Sequence, residues 1–145
     1  MSATRPLYVA EPPAQYLVRP PLVVDCSILA GLVFREPWEP LATERIQGKT
    51  LHAPYLLQVE LGSVAAKKHR TGAIDIALEG MAQFENMNIQ LHQVQPTATL
   101  ALALQYKLST YDAAYLWLAA ELKCPLATFD EKLAKAALIH LSSLD

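Results

Sequence analysis

Short apolar runs alternate with stretches of helical spacing from Leu22 to the end of this chain, and that alternation leaves few folds open. The runs are Leu22-Val23-Val24, Leu51-His52-Ala53, Ile89 to Val94, Pro125-Leu126-Ala127-Thr128 and Ile139 to Leu141. Brief strands, each followed by a helix, predict an α/β domain in three layers, with a short, mostly parallel central sheet flanked by helices. A chain of 145 residues suits one such domain. Ligands bind beyond the carboxyl ends of the strands in these sheets, so the residues that follow each run decide the function.

The helices have their own signals. Ser27 offers an N-cap ahead of Ile28, Leu29, Leu32 and Val33. Pro37 and Pro40 punctuate, a second helix runs from Leu41 to Gln47, and Gly48 stands where a stop belongs. Pro54 suits the first turn of a longer helix reaching about Arg70, before Gly72. Ile74, Ala77, Leu78 and Met81 share one face of the next. Further helices are expected from Thr97 to Tyr106, from Ser109 to Leu122 with a stripe of Tyr111, Tyr115, Leu118 and Leu122, and from Asp130 to Ala137. Residues 1 to 21 carry Pro6, Pro12, Pro13, Pro20 and Pro21 around two apolar pieces, Leu7-Tyr8-Val9 and Tyr16-Leu17-Val18. They read as an N-terminal arm, with the domain spanning 22–145.

Composition removes several classes of function. No stretch approaches the roughly 18 apolar residues of a membrane span, and Glu11, Pro12, Pro13 and Gln15 interrupt any secretory leader. Two cysteines suggest reduced thiols, and a cytoplasmic protein is expected. The four histidines show no paired spacing and there is no C-x-x-C, which speaks against zinc. No glycine-rich phosphate loop exists among the five glycines. Hydrophobic residues make up 52% and charged ones 18%, an apolar balance that points to a homodimer or partner interface. The net charge of −2 offers no global attraction to nucleic acid, so RNA would need a local basic patch or metal ions.

Four carboxylates occupy the informative positions. Asp25 ends the first strand, Asp130 follows the fourth, and Asp112 opens a helix. Each also has a purely structural reading: Asp25 as a strand end, Asp130 as an N-cap, Asp112 as the partner of Ser109 in a capping box. Glu60 shares a helix face with Leu57 and Val64, where a carboxylate needs a partner, a metal, or an escape to solvent alongside Lys67. Lys67-Lys68-His69-Arg70 complement the dipole at a helix end or contact phosphates. Cys26 reads as a small buried residue, Trp38 as an apolar packing residue, and Trp117 as flanking the core stripe, where it packs in the core or faces a partner.

Taken together, Leu22-Val23-Val24-Asp25-Cys26-Ser27, Pro54-x-x-x-x-x-Glu60, Ser109-x-Tyr111-Asp112-Ala113-Ala114 and Pro125-Leu126-Ala127-Thr128-Phe129-Asp130-x-x-Leu133 resemble the successive motifs of PIN-domain nucleases. Within that superfamily the stretch from Leu22 to Leu141 is most similar to the VapC toxins of toxin–antitoxin pairs. The resemblance implies a PIN-like fold and an endoribonuclease that leaves 5′-phosphate and 3′-hydroxyl ends. Its Mg²⁺ or Mn²⁺ would be held by Asp25, Glu60, Asp112 and Asp130, with Ser27 and Thr128 as hydroxyl supports. Hard cations prefer such oxygen donors. It also implies RNA as substrate, a homodimer, and an antitoxin that blocks the acidic cleft, often with an arginine. Two departures stand out: Ser63 replaces an asparagine common three residues after the glutamate, and the arm is longer than usual. Two other readings remain, a catalytically silent PIN-like module that binds RNA or protein, and a phosphoacceptor domain, which lacks its usual adjacent acid pair here.

Overall fold

Strand β1 (Pro21–Val24) is the axis on which the other elements hang, and Leu22, Val23 and Val24 are all buried instead of alternating in and out. A strand buried on both faces requires layers on both sides, as in a parallel sheet. The computed structural model describes residues 6–8, 10 and 19–144, so Val9 and Tyr16-Leu17-Val18 of the expected arm lie outside the described residues.

After β1 come α1 (Cys26–Val33), α2 (Glu39–Ile46), β2 (Thr50–Pro54), α3 (Leu56–Arg70), α4 (Ile74–Glu85), β3 (Ile89–His92), α5 (Pro96–Tyr106), α6 (Thr110–Leu122), β4 (Leu126–Ala127) and α7 (Glu131–Ser142). The strands pair in the order β3-β2-β1-β4, every pair parallel. This is the expected three-layer α/β architecture.

Local differences have physical causes. The run Ile139 to Leu141 is not a strand, because α7 continues through it to Ser142. Nothing between Glu131 and Ser142 breaks a helix, and Leu133, Ala136 and Ala137 bury one face at helical spacing. Among the described residues β4 therefore has β1 as its single neighbour. Pro54 closes β2 instead of opening α3, since pairing with β3 persists to Pro54 opposite His92 and the Tyr55 N–H donates to the His92 carbonyl at 3.0 Å. Pro40 lies in the first turn of α2, where its missing N–H costs nothing. On α6, Tyr115 and Leu118 are buried as expected, but Tyr111 is 60% exposed. The helix packs on β1, β2 and β4 with α5 and α7 beside it, so Ala113, Ala114, Leu116 and Ala119 are buried too.

Close helix packing sets a sharp test. A Cβ on Gly80 of α4 would stand 2.4 Å from the Phe34 ring and 2.7 Å from the Val33 carbonyl oxygen, whereas one on Gly62 of α3 meets nothing within 4 Å. Gly80→Ala is expected to lose about 1–3 kcal/mol to overpacking, a melting point lower by several degrees. Gly62→Ala should hold or gain up to about 1 kcal/mol from helix propensity. Thermal melts of the two variants should move in opposite directions.

Candidate active site

Parallel register assembles the first half of the site. Val24 of β1 lies opposite Ala127 of β4, so Asp25 and Thr128 leave the sheet side by side. The Thr128 hydroxyl donates to Asp25 Oδ2, while Oδ1 accepts from the Ser27 hydroxyl at 2.6 Å and the Ile28 N–H at 3.2 Å. Asp25, not Ser27, is thus the N-cap of α1, and it is 6% exposed. The freed Ser27 hydroxyl also accepts from the Phe129 N–H at 2.9 Å, and Thr128 Oγ1 accepts from the Asp130 N–H at 2.9 Å. Both hydroxyls stitch the loop after β4 to the end of β1. The Asp130 carboxylate caps α7 through the Lys132 N–H at 3.2 Å.

Helix α6 supplies the second half. Ser109 caps it, its Oγ accepting from the Asp112 N–H at 3.1 Å, which places Asp112 in the first turn. Tyr115, three residues on and therefore on the same side, donates its hydroxyl to Glu60 Oε1 at 2.6 Å. Glu60, half-buried on α3, is thereby partnered by a tyrosine and not by Lys67. This role of Tyr115 escaped the sequence reading. Its one available signal was that a tyrosine in a buried stripe needs a mate for its hydroxyl.

The carboxylates feel one another. Burial raises the Asp25 pKa, partly offset by the bonds from Ser27, Thr128 and Ile28. Burial also raises Glu60, opposed by Tyr115 and reinforced by the charges of Asp112 and Asp25. Asp112 is raised by burial, then by the charge of Asp130 and a hydrogen bond shared with it, then by Asp25, against the lowering effect of Ser109. Burial, with the nearby Glu60 and Asp25 charges, pushes the Cys26 thiol up to about 12, which leaves it unreactive. Tyr115 is likewise raised, by burial first and by Glu60 next.

Among the described residues the ion pairs are Arg35–Glu79, Lys68–Glu36 and Lys135–Glu131, so none of the four acids has a cationic side chain bound to it. Nor do the described residues bring three or more His, Cys, Asp or Glu side chains into a group placed to hold one metal ion. In donor type alone, carboxylate oxygens without a cationic partner suit a hard cation that keeps much of its water. Ser63 is exposed on α3 and makes no side-chain hydrogen bond among the described residues. Away from this edge, His52 and His92 meet across β2 and β3 with ring nitrogens 2.9 Å apart, a pairing hidden by their distance in sequence.

Comparison with known proteins bears on the family and the fold. Residues 22–138 match the family model described as PIN domain. Ribonuclease VapC12 of Mycobacterium tuberculosis is 28% identical over 117 residues, 79% of this chain and 91% of that protein. The crystal structure of PAE2754 from Pyrobaculum aerophilum superposes with a TM-score of 0.64 at 23% identity, covering 86% of this chain and 91% of that one. That of Mycobacterium tuberculosis VapC20, described as a Sarcin-Ricin loop cleaving toxin, gives 0.58 at 15% identity, covering 79% and 94%. The two superpositions bear on the fold alone.

The crowding of the acids carries a pH signature. Folded Asp112 holds its proton more tightly than the unfolded chain does, so ionising it costs stability as pH climbs from the ordinary carboxylate range through its raised folded value. In chelator at pH 7, Asp112→Asn is expected to melt at or above the wild type, and the difference should vanish as pH falls to the ordinary range. A residue that merely supports the start of α6 gives the reverse, a variant less stable at neutral pH.

Proposed function

The chain belongs to the PIN-domain family, and from that premise we propose that it is a Mg²⁺- or Mn²⁺-dependent endoribonuclease, the cytoplasmic toxin of a toxin–antitoxin pair. One observation carries the reading. Asp25, Glu60 and Asp112 arrive from β1, α3 and α6, each with its pKa raised, and no cationic side chain answers them among the described residues. A site of structural caps alone has no reason to concentrate charge in this way.

A bound Mg²⁺ or Mn²⁺ supplies neutralisation of the phosphate and a more acidic water for attack on phosphorus. The chain's own groups prepare for it. Three hydrogen bonds fix Asp25 in one orientation, and the Tyr115 hydroxyl holds Glu60 Oε1 so that the other oxygen is left for a ligand. Asp112 and Asp130 share the approach side and bring the charge that draws the ion in. Ser27 and Thr128 keep Asp25 from turning away. The site takes RNA as substrate and, when silenced, an antitoxin whose basic side chain would be drawn to the carboxylates. Exposed apolar residues such as Leu78, Leu104 and Ile139 accord with a homodimer.

Asp25→Asn and Asp112→Asn are expected to lower cleavage of total RNA in Mg²⁺ or Mn²⁺ by more than the roughly 10–100-fold typical of second-sphere changes, with circular dichroism unchanged for Asp112→Asn, whose carboxylate is not the cap of its helix. Chelator should do the same to the wild type. Cleavage that survives both substitution and chelator sinks the proposal. If instead the wild type binds RNA without metal-dependent turnover, the silent-module reading is correct.

Metal should also show in stability. At 100 times its Kd, Mn²⁺ is expected to add about 2.7 kcal/mol, several degrees in melting temperature, and Asp112→Asn should shrink that gain. Light scattering at tens of micromolar tests the dimer, for which a strictly monomeric mass is the contrary result.

A further inference from the structure

Ser27 ties two exposed aromatic rings to the acid cluster. Its hydroxyl bridges Asp25 and the Phe129 N–H, and its carbonyl accepts from the indole N–H of Trp38 at 3.3 Å. The two rings stand edge to face, centroids 6.1 Å apart and planes at 60°. Both reach solvent, Trp38 at 37% and Phe129 at 42%. Trp38 is seated as well as bonded, because a Cβ on Gly31 would come within 2.6 Å of two atoms of its ring. Its ring thus packs on α1 at Gly31 and still reaches solvent. The Phe129 N–H donates to the hydroxyl that also holds Asp25, so the backbone carrying this ring is fixed to the acidic edge through Ser27.

A groove of about 1200 Å³ begins at Thr128 and Phe129 and continues beside β4 between α2 and α7. Its lining is largely apolar, with Leu41, Leu138 and Leu141 among it, but Arg45, Lys49 and Lys123 stand along it against the one acid Glu44, and none of the three cations belongs to an ion pair among the described residues. Acid at one end and base along the wall suit a polyanion whose reacting phosphate is handled by metal while its flanks need direct neutralisation.

Building on the endoribonuclease reading, we propose that Trp38 and Phe129 form the platform on which the base beside the scissile phosphate stacks, with the flanking strand lying in the groove past Arg45, Lys49 and Lys123. Unpaired bases stack on aromatic side chains with little regard to sequence, and a single-stranded substrate offers such bases.

The test uses the full chain carrying Trp117→Phe, which leaves Trp38 as its one tryptophan. In chelator, a short single-stranded RNA is expected to quench Trp38 fluorescence, and Phe129→Leu to weaken binding roughly 10-fold. With Mn²⁺, Phe129→Leu and Trp38→Leu should raise KM with kcat little changed, and Trp38→Phe, which keeps a ring above Gly31, should recover most of the loss. An oligonucleotide abasic next to its cut should lose the same factor with the wild type and little more with Phe129→Leu. Charge removal in Arg45→Gln with Lys49→Gln should flatten the salt dependence of binding. If the wild type cleaves RNA but neither quenching, KM nor the abasic substrate responds, the platform is refuted while the nuclease stands; that is also the result if the pair serves a protein partner. RNA that is neither cut nor bound by the wild type overturns both.

Discussion

A carboxylate taken almost wholly out of water at the end of the central strand is the constraint around which this molecule is arranged. Asp25 costs free energy where it sits, and the bonds from Ser27, Thr128 and the Ile28 N–H offset that cost only in part. Each donor belongs to something larger. Ile28 begins α1, Ser27 reaches the loop after β4, and Thr128 extends β4 itself, so satisfying one side chain joins the first strand to the last. The register of β1 with β4 and the capping of α1 are two aspects of a single local solution.

The second dependence runs through α6. It is apolar nearly all round and packs against sheet and helices on several sides, which makes its position rigid. From that position its first turn presents Asp112 and its next turn presents Tyr115, whose hydroxyl holds Glu60 across from α3. One well-packed helix therefore orients two acids, one directly and one through a phenol. Tyr115 is the fixed contact of Glu60 and Asp112 its charged neighbour, and the two pull the proton affinity of Glu60 in opposite directions.

Much of this was legible in the chain because strand ends and helix starts are marked by local chemistry. Val24 before Asp25, Ser109 before Asp112 and Thr128 before Asp130 each announce a place in an α/β sheet, and the sheet's own geometry carries those places to one edge. What was not legible depended on distance in sequence. Tyr115 meeting Glu60, Phe129 meeting Ser27, and His52 meeting His92 leave no pattern in any window of residues. The mistaken last strand shows the opposite limit. Ile139 to Leu141 is apolar enough for either element, and only the burial of Leu133, Ala136 and Ala137 decides for helix. Choosing Ser27 as the cap failed for a similar reason, since two neighbouring oxygens competed and tertiary bonds to Phe129 claimed one of them.

Strand β4 is two residues long and lies at the margin of the sheet. Segments of that kind open at a fraction of the free energy needed to unfold the whole domain. Thr128 and Asp130 follow this segment directly, so the bond from Thr128 to the buried Asp25 holds both the segment and the acidic edge in place. Linkage makes the relation mutual: whatever occupies the edge favours the closed segment, and whatever orders the segment raises affinity at the edge. Order at the margin of the sheet and order at the acidic edge are therefore a single quantity.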